Sequence, residues 1–147
     1  MALTKKEKVH GIIHGASIAA AAAGAGMAQL PGSDCAVLVP IQAGMVSAIA
    51  LVHNRKLSEA GATSVIGTLG ATIVGRTISQ FLVGWIPVIG NGINAVTAAA
   101  LTEAVGWTAH KFFEGLGNEP LSEQEIAERA RQYRNKKSNE EETQTNA

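Results

Sequence analysis

The chain has 147 residues, enough for one compact domain, with 46% hydrophobic and 16% charged residues. Twelve basic and twelve acidic residues cancel, so no basic surplus exists to hold nucleic acid, and the one cysteine, Cys35, excludes an internal disulfide. Only six residues are aromatic, whereas 25 are alanine and 16 are glycine. The apolar content is therefore small side chains, which suit close packing of helix backbones.

The charges lie at the two ends. Between Val9 and His110 there are six: Asp34, Arg55, Lys56, Glu59, Arg76 and Glu103. Residues 1–8 carry four and residues 111–147 carry fourteen. A water-facing bundle needs a charged stripe along each helix, so this pattern points to a body covered by lipid or by other chains.

Four low-charge segments follow in order: Val9 to Leu30, Ala36 to His53, Ala60 to Val83, and Ile93 to Phe113. Alanine runs such as Ala19 to Ala23 favour helix over strand. Each segment is near the ~20 residues a helix needs to cross hydrocarbon. The first begins like a signal peptide, with Lys5, Lys6 and Lys8 before the apolar run, and is read as retained. Pro40 falls near the start of the second segment. Pro31 to Asp34 marks a turn, and Pro87, Gly90 and Asn91 mark another. The fold class is all-α: two helical hairpins of four long Ala/Gly-rich helices, then a short C-terminal amphipathic helix.

Residues 1–118 form the body and 119–147 a charged tail. In the tail, Ser122 and Glu125 make a capping box and Leu121 with Ile126 a hydrophobic staple. Ile126, Ala130 and Tyr133 give a narrow apolar stripe, expected to pack back on the body. Disorder is expected from about Asn135, where Glu140, Glu141 and Glu142 stand together.

Four crossings would place both termini and the 54–59 connection, with nearly all Lys and Arg, on the cytoplasmic side of an inner membrane of bacterial type. The rival arrangement is a soluble helical bundle or oligomer in the cytoplasm with the same connectivity.

Small residues recur every four positions at Gly67, Ala71, Gly75 and Ser79, and again at Gly11, Gly15, Ala19 and Ala23. Such stripes let backbones approach closely. Arg76 and Glu103 are equidistant from Ile89 and Gly90, so an antiparallel hairpin would bring them together as a structural ion pair. All four histidines, His10, His14, His53 and His110, fall at the predicted cytoplasmic end. They are the candidates for metal ligation, but helix-end polar roles account for them and no metal or other cofactor is expected. Phosphate loops, nucleophile elbows and metalloprotease motifs are absent, so no catalytic residue is assigned and no enzyme is expected.

Pro40-Ile41-Gln42, Leu57-Ser58-Glu59, Gly75-Arg76, Gly84-Trp85-Ile86-Pro87, Gly90 to Ala95 and Thr102 to Trp107 together carry a resemblance. On these runs the chain resembles an uncharacterised glycine-rich helical domain family found alone or fused behind Era-like GTPase domains. Val88 departs from it, standing where glycine is expected. The resemblance implies a multi-pass membrane body, no catalytic residues and a GTPase as a separate partner. The reading is a non-catalytic, membrane-associated interaction or scaffold module with the bilayer, copies of itself and a GTPase as partners. A channel or pore component is the alternative.

Overall fold

Thr4 starts the first helix, five residues ahead of the apolar run that begins at Val9. Its hydroxyl accepts the Glu7 N–H at 3.2 Å, and the Glu7 carboxylate accepts the Thr4 N–H at 2.8 Å and its hydroxyl at 2.7 Å. That reciprocal box satisfies two of the donors a helix start leaves orphaned. The structure is a computed structural model that describes residues 2–26, 34–70 and 91–146. In it α1 spans Lys5–Gly26 and α2 spans Asp34–Val52; α3 is the helical stretch 59–70, α4 spans Asn91–Gly115 and α5 spans Glu123–Thr145. No strand occurs among the described residues, and the fold is all-helical as expected.

Helix α1 packs most extensively on α4 and also on α2, which itself meets α4. The ring of His10 lies beside Trp107, and His14 beside Glu103. Rising numbers on α1 thus meet falling numbers on α4, and the two run antiparallel. On α2 and α4, Gln42 reaches Thr102 and His53 reaches His110, so this pair runs the same way. Where these helices converge, Gly106 is buried, and a Cβ there would stand 2.7 Å from Ile13 and 3.0 Å from the Met45 sulfur. Around this point the core gathers Val9 and Ile13 of α1, Val46 and Ile49 of α2, Val65 and Leu69 of α3, and Phe112 and Phe113 of α4.

Several expectations change against this frame. The buried face of α1 is Val9, Ile13, Ser17, Ala20 and Gly24. Gly11, Gly15 and Ala19 are exposed, so that small-residue stripe looks outward and is not the seam between the described helices. Gly67 is likewise exposed, with open space where a Cβ would go. Its companions Ala71, Gly75 and Ser79 lie outside the described residues. So do Arg76, Pro87 and Gly90, whereas Asn91 is the first residue of α4.

Pro40 sits inside α2, because that helix starts at Asp34 and not at Ala36. Four crossings gain no support. Among the described residues, no helix is long and apolar enough to cross a membrane. The composition explains it for α1 and α4: alanine and glycine bury little area, and Lys5, Lys6, Lys8, His10 and His14 on one and Glu103, His110 and Lys111 on the other interrupt the apolar run.

The helix of the tail is longer than the short one expected. Helix α5 continues through Asn135 to Thr145, over the stretch where disorder is expected from the sequence. A Lys137–Glu140 pair at 3.0 Å bridges adjacent turns in this last part. The Ser122–Glu125 capping box forms as expected, and Ile126 and Ala130 are buried in the common core with Tyr133 packed against it. The stripe packs back on its own body.

Glu123 then does something the spacing alone does not announce. Its carboxylate accepts the Ser58 hydroxyl at 2.8 Å and the Ser58 N–H, while the Ser58 hydroxyl accepts the Gly61 N–H at 3.0 Å. Ser58 caps α3, and α5 supplies from a distance the acidic half of its capping box. Gly61 occupies the place where such a box ordinarily carries Glu or Gln. A Cβ at Gly61 would stand 2.9 Å from the Glu123 carboxylate, so the glycine makes room for it.

Candidate functional site

The polar connection after α2 folds by a helix-ending turn. Asn54 adopts φ 58°, the left-handed conformation that asparagine tolerates better than most residues. The Asn54 N–H then donates to Leu51 O at 3.0 Å and the Arg55 N–H to Ala50 O at 2.9 Å, which is the pairing of a Schellman stop. This turn throws Arg55 back beneath the end of α4. There Gly117, at φ 65°, ends that helix in turn, and the Arg55 guanidinium donates through one Nη to Leu116 O at 3.3 Å and Gly117 O at 3.0 Å. Arg55 is 6% exposed, although it lies in what reads as a surface connection. It sits where the negative end of the α4 dipole favours a cation.

His53 and His110 meet at this end, as the segment order implies, and a line of rings leads from them along α1 to His14, which lies against Glu103 at the middle of α4. The rings of His14 and His10 stack at 5.5 Å, His10 meets Trp107 at 5.9 Å, and Trp107 meets His110 edge-on at 5.9 Å. His110 in turn shares a 3.0 Å hydrogen bond with His53, whose ring stacks on Phe113 at 6.3 Å. The result is a ladder of rings across α1, α4 and the end of α2. Among the described residues, no group of three or more His, Cys, Asp or Glu side chains is arranged to hold a metal. Glu103 contacts His14 at 3.1 Å. Both are substantially exposed, so that contact contributes little stability.

The His53–His110 hydrogen bond requires one nitrogen to accept, so the two rings cannot both be protonated and keep it. Burial holds the His53 imidazole below its ordinary range, and His110, Lys5 and Arg55 add to the effect while Glu114 opposes it. The native state therefore resists protonation that the unfolded chain accepts. For a group lowered in this way the stability is complete above the unfolded value of about 6.5 and is lost as pH falls through the lower folded value. We expect unfolding midpoints in urea to fall as pH drops below about 6.5, and His53→Gln to flatten that slope. An unchanged slope in His53→Gln would assign the pH dependence to another group.

Two adjoining clefts open at this end of the bundle. The larger, about 780 Å³, is lined by Lys5, His53, Arg55, Lys56, Asn118 and Glu119 among others. The smaller, about 480 Å³, shares Lys5, His53 and Asn118 with it and adds Lys6, His110 and Glu114. Sequence reasoning placed His53 and His110 here but missed Arg55 and Glu123, because their partners are distant in sequence.

Comparison with known proteins finds no match to any family model, curated protein or solved structure.

Proposed function

We propose that the chain is a non-catalytic helical interaction module, associated with a membrane surface, whose weakly polar body is covered in use. The observation that supports this is the outer face of the body. Past Lys8 the exposed residues of α1 are His10, Gly11, His14, Gly15, Ile18, Ala19, Ala22, Ala25 and Gly26, with no acid, lysine or arginine among them. Ile18 is 64% exposed, Leu51 of α2 57% and Val96 of α4 69%. Large apolar residues scattered singly are ordinary on a protein surface, but an entire helix face without formal charge is not. Lys5, Lys6 and Lys56 at one end, with the strongly charged α5, remain for water, anionic headgroups and partners. A separate GTPase is the partner class that the sequence resemblance implies.

Self-association is the second reading. It is favoured by the outward stripe Gly11, Gly15 and Ala19, which gives a second copy a flat face for close approach. Fractionation separates the two. The membrane reading expects the chain to sediment with membranes at physiological salt. Release by an alkaline wash would mark surface association, and retention would mark deeper insertion. A detergent-free multimer of defined mass would favour self-association. A monodisperse monomer in detergent-free buffer would overturn both.

A further inference from the structure

We propose that the larger cleft at the charged end binds a phosphate-bearing anion, held by Lys5 and Lys56 above the buried guanidinium of Arg55. Arg55 is over nine-tenths buried and makes no ion pair among the described residues. Its Nη hydrogen bonds go to carbonyl oxygens, and its Nε has no hydrogen-bond partner. The guanidinium is thus set against carbonyl oxygens, with no carboxylate bonded to it among the described residues. Lys5 comes from the start of α1 and Lys56 follows Arg55 directly, so three cations from two segments of the chain line one concavity. The opposing acids are few. Glu119 is turned to Arg129 of α5 at 3.7 Å, and Glu114 lies in the adjoining cleft. The volume of about 780 Å³ suits a small ligand.

A phosphate monoester carries about −1.5 to −2 charge near neutral pH, which matches several converging cations better than a single carboxylate does. His53 reports on the same space. Beyond burial and His110, Lys5 and Arg55 act against its proton while Glu114 favours it. A dianion seated among them would reverse that pressure and raise the His53 value. The free phosphate of a soluble compound and the headgroup of an acidic lipid offer the same chemistry.

This inference shares Lys5 and Lys56 with the membrane-surface reading, but its inorganic-phosphate arm fails separately from that reading, which fractionation tests. The test follows the His53 ring by NMR in the full chain, titrated with inorganic phosphate against chloride at matched ionic strength. In parallel, sedimentation is measured with vesicles of phosphatidylcholine alone and of phosphatidylcholine mixed with phosphatidic acid. Arg55→Gln risks the fold, so the deciding variants are Lys5→Gln and Lys56→Gln, with Lys136→Gln on α5 as control. A saturable upward move of the His53 value, weakened about two- to fivefold by each cleft lysine and not by Lys136→Gln, upholds the site with a soluble phosphate. No response to inorganic phosphate, but phosphatidic acid binding with the same lysine dependence, upholds it with a lipid headgroup. Absence of both responses overturns the proposal. So does equal weakening by Lys136→Gln, which would mark diffuse charge attraction and no site.

Discussion

Phe113→Ala is expected to destabilise the fold by about 3–5 kcal/mol, the usual cost of deleting a large buried aromatic ring. Phe113 is fully buried and among the largest such side chains. It sits against Phe112 at 5.2 Å and under the His53 ring at 6.3 Å. Its loss leaves a cavity at the junction of α4 with the end of α2, which the Schellman turn at Asn54 cannot collapse to fill. A domain of this size has only about 5–15 kcal/mol in total, so a substantial fraction of the variant should unfold under mild denaturant. Ile18→Ala provides the contrast. That side chain is 64% exposed, and its removal should shift the urea midpoint hardly at all. The ring ladder adds a second readout. Without Phe113 beneath it, His53 is less buried, and its proton affinity should move up toward the ordinary range. A loss below about 1 kcal/mol in Phe113→Ala would mean that the ring is not a core element.

Alanine runs and Pro/Gly punctuation place α1, α2, the start of α3 and α4 within a few residues, because local propensity decides helix against strand in such a composition. The Ser122–Glu125 box and the Leu121–Ile126 staple are local too, and both partners sit within one turn or so of chain. Thr4 and Glu7 carry the same signature at the start of α1, equally legible but unread beside the lysines that follow. The destination of a side chain is another matter. A four-residue repeat of Gly11, Gly15 and Ala19 identifies a helix face, but not whether that face turns inward. Here the bulkier Val9 and Ile13 win the core, because they bury more area.

Charge was the least legible feature. Arg55 and Lys56 are adjacent, yet the left-handed turn at Asn54 sends the first beneath α4 and leaves the second exposed. Glu123 reads as an ordinary acid in a first helical turn, until the fold brings Ser58 to it. Glu103, expected to meet Arg76, has His14 at its carboxylate, and Arg76 lies outside the described residues. In each case the partner is fixed by tertiary packing. No spacing along the chain encodes it.

The junction at Gly106 makes the packing itself testable. Gly106→Val should cost about 3 kcal/mol or more, placing it at the upper end of overpacking losses. A Cβ there would stand 2.7 Å from Ile13 Cγ1, 3.0 Å from Met45 Sδ and 3.1 Å from Ile13 Cδ1. Methionine can give way, since it is unbranched and flexible. Isoleucine cannot do so readily, because its β-branch holds χ1 and Ile13 is itself buried. Gly106→Ala sets two effects against each other. It gains up to ~1 kcal/mol of helix propensity and loses about 1–3 to crowding, so a net loss smaller than that of valine is expected. The decisive variant pairs the two sites. Ile13→Ala alone should cost about 2–5 kcal/mol by opening a cavity, and Gly106→Val fills part of that same space. The double variant should therefore be less destabilised than the sum of the singles, by at least about 1 kcal/mol in urea unfolding. That coupling would fix α1 against α4 in the register that sets His10 by Trp107 and His14 by Glu103. Simple additivity would mean that Ile13 and Gly106 do not touch. The antiparallel seam, and with it the ring ladder at the charged end, would then need a different alignment.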